Sequence, residues 1–389
     1  MKAAVALTGI NNCDEAIPGR LTRIKRPRRY SRCEKSLIIR VRSANLPIMS
    51  PVNDSSRAIG LWLLLLGAMI FVMVVVGGVT RLTQSGLSIA EWKPVVGALP
   101  PLTDQAWQEE FEIYRRTPEY LKVNAGMDLA GFQRIYYVEW FHRLWGRLIF
   151  FAALLPLLYF LFRRRIPSGY GWALAAVPIG VALNGALGWF MVASGLVDIP
   201  RVSAYRLTAH LGFAALIYGY VLWLALRLWW PGAQTDHAPR RLGWAVVALT
   251  FITLLAGGFV AGTRAGHSYN TWPLMGESFF PVGMWAQSPW WVNLFENVAT
   301  VQFNHRLLAY ALIVLVAVLW WRAGRTVLDP ITARLRHLLP AALVVQVGLG
   351  IGTLLLHVPV TLGAAHQGGA LLLFTAALAF VYSLRPARR

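Results

Sequence analysis

Glu139-Trp140-Phe141-His142-Arg143-Leu144 opens one long apolar stretch of the chain, and Gln302-Phe303-Asn304-His305-Arg306-Leu307 opens another. Each places a polar side chain, a histidine and an arginine at the mouth of a run long enough to cross a membrane, which takes about 20 residues at 1.5 Å of rise. Working outward, runs of this kind recur at Ala58 to Thr80, Tyr136 to Phe162, Trp172 to Ser194 and Tyr205 to Leu226. Four more follow at Leu242 to Gly262, Ala299 to Trp321, His337 to Leu356 and Leu362 to Tyr382. None alternates apolar with polar residues as a barrel strand must, so all eight are expected to be helices.

The bulk composition agrees. Over 389 residues, 57% are hydrophobic and 14% charged, with a mean hydropathy of +0.51. Such a chain is too apolar for an ordinary soluble protein, and an all-α polytopic membrane protein is expected. Arg163 to Arg165, Arg240 and Arg241, Arg322, Arg325, Arg334 and Arg336, and the terminal Arg385, Arg388 and Arg389 cluster in alternate connections. By the positive-inside rule those segments and both termini face the cytoplasm, and the long Arg81 to Ile135 connection lies outside. The formal charge of +20 is then mainly a topology signal plus a basic tail, and gives no ground for nucleic-acid binding.

Residues 1–50 differ in kind. Arg and Lys crowd Arg20 to Arg42, with Pro18 and Pro27, so this extension is expected to be disordered or to lie on anionic membrane lipid. Met49 is an alternative start, and an organelle presequence is a further reading. Cys13 and Cys33 both fall in this tail, which leaves the membrane body without a disulfide or a thiolate ligand.

The body repeats. Gly77-Gly78-Val79-Thr80-Arg81 is echoed by Gly257-Gly258 and Thr263-Arg264, and the two histidine openings correspond. Asn184-Gly185-Ala186-Leu187-Gly188 precedes His210 as Gln346-Val347-Gly348-Leu349-Gly350 precedes His366. A tandem duplication of a four-helix bundle is expected, as halves 51–235 and 236–389, related by an axis along the membrane normal.

His142, His210, His305 and His366 all fall within about two turns of the outer ends of their spans, and therefore at one depth. An intramembrane polar residue needs a task or a partner, and four at matched positions suit two irons of heme, each between two neutral imidazoles. Arg143 and Arg306 follow a ligand and suit heme propionates. Gly212 and Gly368-Gly369 are expected to let a flat macrocycle come close to the backbone. His237, His267, His337 and His357 lack repeat counterparts and are set aside, and Trp140, Trp145, Trp290 and Trp291 read as interfacial belt residues.

The halves differ at one position: Glu139 lies three residues before His142, whereas Gln302 lies three before His305. A carboxylate there is either an ion-pair partner of Arg143 or a reactive group, a proton acceptor or a fixed charge facing a developing cation.

Taken together, the Glu139 to Arg143 motif, Asn304 to Leu307, His210, Ala365-His366-Gln367 and the duplicated plan resemble the heme A synthase family from about residue 55 onward. The resemblance implies oxidation of the C8 methyl of heme O to a formyl group, giving heme A for cytochrome oxidase. It implies that His142 and His210 hold the substrate heme, that Glu139 is catalytic, and that His305 and His366 ligate a resident heme b. The branch with a cysteine pair in an outer loop is not matched; the chain is similar to the proteobacterial and mitochondrial branch, which implies a bacterial inner membrane, with a mitochondrial inner membrane as second choice. An electron-transfer partner is then required. A heme O synthase and oxidase assembly factors are candidate neighbours, and a homo-oligomer stays open. The alternative is a diheme b-type electron-transfer protein that needs the histidines but not Glu139. A transporter is disfavoured by so few intramembrane charges.

Overall fold

The structure is a computed structural model that describes residues 54–91, 96–195, 202–230 and 239–385. Among these residues there is no β-strand, only an isolated bridge between Met275 and Ser278. Eight helices are long and apolar enough to cross a membrane: α1 (Asp54–Leu82), α4 (Leu129–Phe162), α5 (Gly171–Gly195), α6 (Ala204–Trp229), α7 (Arg240–Thr263), α8 (Val298–Ala323), α9 (Pro330–Leu355) and α10 (Val360–Ser383). They coincide with the eight expected spans. The basic extension, Met49 and His237 lie outside the described residues.

Two starts fall earlier than the apolar pattern places them, because a helix begins at its cap and not where its hydrocarbon begins. The Asp128 carboxylate accepts from Gly131 N at 2.8 Å and starts α4 ahead of Tyr136. Asp329 accepts from Ile331 N and Thr332 N, with Pro330 at the first helical position, and starts α9 ahead of His337.

The helices close into two rings of four. In the first, α1 packs on α4, α4 on α5, α5 on α6 and α6 on α1; in the second, α7 packs on α8, α8 on α9, α9 on α10 and α10 on α7. The rings meet along α1, α6, α7 and α10, whose facing side chains, among them Leu66, Ala215, Val246 and Leu371, form the main core. α5 stays at the rim and turns Trp172, Ile179 and Leu183 outward, as suits a hydrocarbon solvent. Polar ties cross the seam: Arg81 Nη2 donates to the carbonyls of Ala261 (2.9 Å) and Gly262 (3.2 Å), and Gln367 Nε2 donates to that of Val74 (2.8 Å).

Between Arg81 and Ile135 the sequence reading placed no element, yet two short helices form there, α2 (Asp104–Arg115) and α3 (Pro118–Lys122). Hydropathy does not register them because α2 is amphipathic. Trp107, Phe111 and Tyr114 share one face and pack on Phe132 and Tyr136 of α4, with ring centroids 5.0 Å apart for both Trp107–Tyr136 and Tyr114–Phe132. α4 has 34 residues, roughly 50 Å at 1.5 Å of rise, so its first turns stand beyond the apolar run and carry this cap layer.

Candidate functional site

Each of the four matched histidines rests against a glycine of the neighbouring helix in its own ring. A methyl group built on Gly257 of α7 would sit 3.3 Å from His305 Cε1 of α8, and one on Gly350 of α9 would sit 2.8 Å from His366 Cε1 of α10. In the first ring, Gly77 of α1 faces His142 of α4 at 3.3 Å, and Gly188 of α5 faces His210 of α6 at 3.1 Å. Only glycine leaves an imidazole this room beside a helix backbone. The glycines singled out for close approach have other work. Gly212 packs against Leu255 and Phe251, Gly368 against Val75 and Phe71, and Gly369 against Gln346 and Leu349. The four ring seats stood in the sequence only as markers of the repeat.

His305 and His366 face each other with ring centroids 6.4 Å apart and planes at 86°. Metal–imidazole bonds of about 2 Å on either side of one metal set two axial ring centroids roughly 6 Å apart, so the pair fits a shared iron. The Nδ1 atoms of His210 and His305 are buried without a hydrogen-bond partner. Gln346 places its Nε2 3.2 Å from His366 Nδ1, a contact whose donor depends on the imidazole tautomer. In the first ring, His142 and His210 are electrostatic neighbours. His142 presents its Nε2 edge to Gly77 where His305 presents Cε1 to Gly257, a half-turn of the ring apart.

Above His142, Glu139 is 2% exposed and takes four hydrogen bonds. Ser88 Oγ (2.7 Å) and Ile89 N (2.8 Å) donate to Oε2, while Arg143 Nε (3.0 Å) and Nη2 (2.6 Å) donate to Oε1. Arg143 Nη2 also donates to the Ile89 carbonyl at 2.7 Å. The carboxylate and guanidinium thus clamp the segment after α1 onto α4, which is the ion-pair reading of Glu139 realised. The second ring has a version without the carboxylate: Gln302 Nε2 (3.1 Å) and Arg306 Nη2 (2.9 Å) both donate to the Tyr269 carbonyl after α7. The sequence reading brought Glu139, Arg143 and the histidines to one place but missed Ser88 and the Ile89 amide. Both arginines already hold loop carbonyls, so a propionate would have to share them.

The remaining histidines stand elsewhere. His267 is in a single 3-10 turn after α7, His337 Nδ1 receives the Trp320 indole N–H at 3.3 Å, and His357 follows α9 with φ of 62°. Trp140 and Trp145 are tied to the backbone of Ala98 and Met69, while Trp290 is 68% exposed.

Fold and site together define a class: an all-α polytopic membrane protein with two intramembrane histidine pairs, one of them beneath a buried carboxylate. Residues 60–378 match the family described as cytochrome oxidase assembly protein, COX15-CtaA, and the chain belongs to that family. It is 50% identical over 334 residues to the heme A synthase of Nitrosospira multiformis, covering 85% of this chain and 94% of that one. It is 48% identical over 348 residues to the heme A synthase of Rhodospirillum centenum, covering 87% and 92%.

Proposed function

We propose that the chain is a heme A synthase of a bacterial inner membrane, with both termini cytoplasmic, oxidising the C8 methyl of heme O to a formyl group. The observation that carries the proposal is the pairing of two four-helix rings, alike in their histidines and glycines, with a buried anion in only one of them. Duplication of one bundle accounts for the likeness. In this reading His142 and His210 hold the substrate heme, and His305 and His366 hold a resident heme b. That heme supplies one-electron transfer when bound.

The chain's own contribution is positional and electrostatic. Taking a proton and two electrons from an unactivated methyl, the electrons passing to the electron-transfer partner that the reaction requires, leaves positive charge that the substrate's conjugated ring must spread. Glu139, held by four donors, is a fixed negative charge beside His142 that needs no reorganisation when such charge develops. Its lone-pair sites are filled, so accepting a proton from attacking water requires a donor to turn away. Ser88 Oγ has that alternative in the Ile135 carbonyl at 3.4 Å.

The test is to express the full chain in a host that makes heme O, extract the pigments with acid acetone and identify them by chromatography with mass detection. Heme A absent from the empty-vector control is the expected result, and Glu139→Gln is expected to keep both hemes bound while abolishing formyl formation. The diheme electron-carrier reading has one observation in its favour, the Gln302–Arg306 clamp, which shows that holding the loop needs no carboxylate. Under that reading no heme A forms in any variant.

A further inference from the structure

The cap layer holds a second carboxyl that the reading above leaves without a task. Glu119, in the first turn of α3, is 5% exposed, and its Oε2 has no hydrogen-bond partner. It sits in a corner built by aromatic packing. Tyr114 at the end of α2 is fully buried between Phe132 and Tyr120, and its hydroxyl receives the Asn124 amide at 2.7 Å. The Thr117 hydroxyl closes the corner on the Tyr114 carbonyl at 2.7 Å. A charged carboxylate in such a corner has the Tyr114 hydroxyl beside it but not the four donors that Glu139 enjoys.

The groups that act on Glu119 come from three directions. Tyr114 is beside it from α2, Glu139 repels its charge from α4, and Arg264, which caps α7, attracts it. Burial and the negative Glu139 prevail, and its pKa is pushed up to about 8. Tyr114 is likewise held neutral, chiefly by burial. At neutral pH the two carboxyls therefore differ: Glu139 accepts four hydrogen bonds, as an anion does, and Glu119 keeps its proton.

We propose that Glu119 is the proton-holding partner of Glu139, keeping the pair at one negative charge at rest and giving its proton to water at the cap when positive charge arises beside Glu139. This rests on the reading that the first ring carries out a charge-generating oxidation. Physically, the link is reciprocal. The negative Glu139 raises the proton affinity of Glu119, so anything that neutralises Glu139, whether a proton or an adjacent cation, lowers it again. In the step itself the O–H bond of the Glu119 carboxyl breaks, the proton passes to water, and no electron moves. The negative charge left behind adds to that of Glu139 in stabilising the cation. Once that charge is discharged, Glu119 takes a proton back from water.

The test reads the Glu119 proton directly, without turnover. In the full chain, infrared difference spectroscopy across a pH titration is expected to show a carboxylic-acid C=O band lost through about pH 8. The band should be absent in Glu119→Gln, and in Glu139→Gln its midpoint should fall by about one pH unit, the scale of coupled sites. A band already absent at neutral pH in the unaltered chain, or a midpoint that Glu139→Gln leaves in place, overturns the proposal even if heme A is made. In activity, the unaltered enzyme is expected to speed up as pH rises through about 8, where Glu119 already carries its charge, and Glu119→Gln is expected to bind both hemes, to turn over several-fold more slowly and to lose that rise. Glu119→Asp should restore the rise. An unchanged rate and pH profile in Glu119→Gln would also overturn it. A failure of the heme O reading itself would show as absent heme A with the coupled titration intact.

Discussion

Replacing Gly350 with alanine tests whether the glycine seats set the position of the histidine rings. The new methyl would lie 2.8 Å from His366 Cε1 and 3.3 Å from Nδ1, about 0.6 Å inside the 3.4 Å at which ordinary contact begins. The ring cannot simply retreat, because Gln346 Nε2 stands 3.2 Å from Nδ1 and also holds the His366 carbonyl at 2.9 Å. Overpacking of this size costs about 1–3 kcal/mol. Alanine in place of glycine adds up to ~1 kcal/mol of helix propensity, so the fold survives and the penalty falls on ring placement. Affinity for a heme between His305 and His366 is then expected to drop ~5- to 150-fold. The control is two residues away on the same helix: a methyl on Gly348 meets nothing within 4 Å. Heme content per protein and the low-spin absorption spectrum of Gly350→Ala and Gly348→Ala provide the assay. If the two variants load alike, the glycine seat has no role and the argument for all four fails.

Other outcomes follow from the cap. Arg143→Ala strips Glu139 of the two bonds to Oε1 and leaves a buried carboxylate short of partners, and the cost is expected to be about 3–5 kcal/mol in thermal or denaturant unfolding. Glu119 makes the stability of the cap pH-dependent. Its folded pKa of about 8 lies above its ordinary 4.5, so its contribution is fully present below 4.5, declines by ~1.4 kcal/mol per pH unit as pH rises, and is gone above 8. Glu119→Gln should flatten that slope in proteolysis of the cap layer, and an unchanged slope would assign it to another group. Asp128→Ala removes the acceptor for Gly131 N and should cost about 1 kcal/mol, seen as faster hydrogen exchange confined to the first turn of α4.

What the sequence discloses here follows from what hydrocarbon demands. Eight spans are legible because a membrane forces about 20 apolar residues into register, and the histidine pairs are legible because a polar residue inside such a span stands out. Glu139 is legible for the same reason. Its four donors are not, since Ser88 and Ile89 reach it from a polar connection whose path no periodicity records. Glu119 was one acid among several in that connection, and only the fold of α2 and α3 over Phe132 separates it from its exposed neighbours. The glycine seats were visible as letters and not as functions, because Gly350 and Gly348 differ solely in the direction each faces.

The clamp of Gln302 and Arg306, which lacks the carboxylate, gives the molecule an internal control. Both rings hold the loop after their first helix from the same two helical positions, so whatever geometry alone confers should be found at both histidine pairs. Whatever the carboxylate confers should be found at one. Gln302→Glu brings a carboxylate to the second ring in exchange for the Nε2 bond to the Tyr269 carbonyl, which Arg306 still holds, and comparing the two histidine pairs within a single variant removes every difference of expression, lipid and folding that clouds a comparison between proteins.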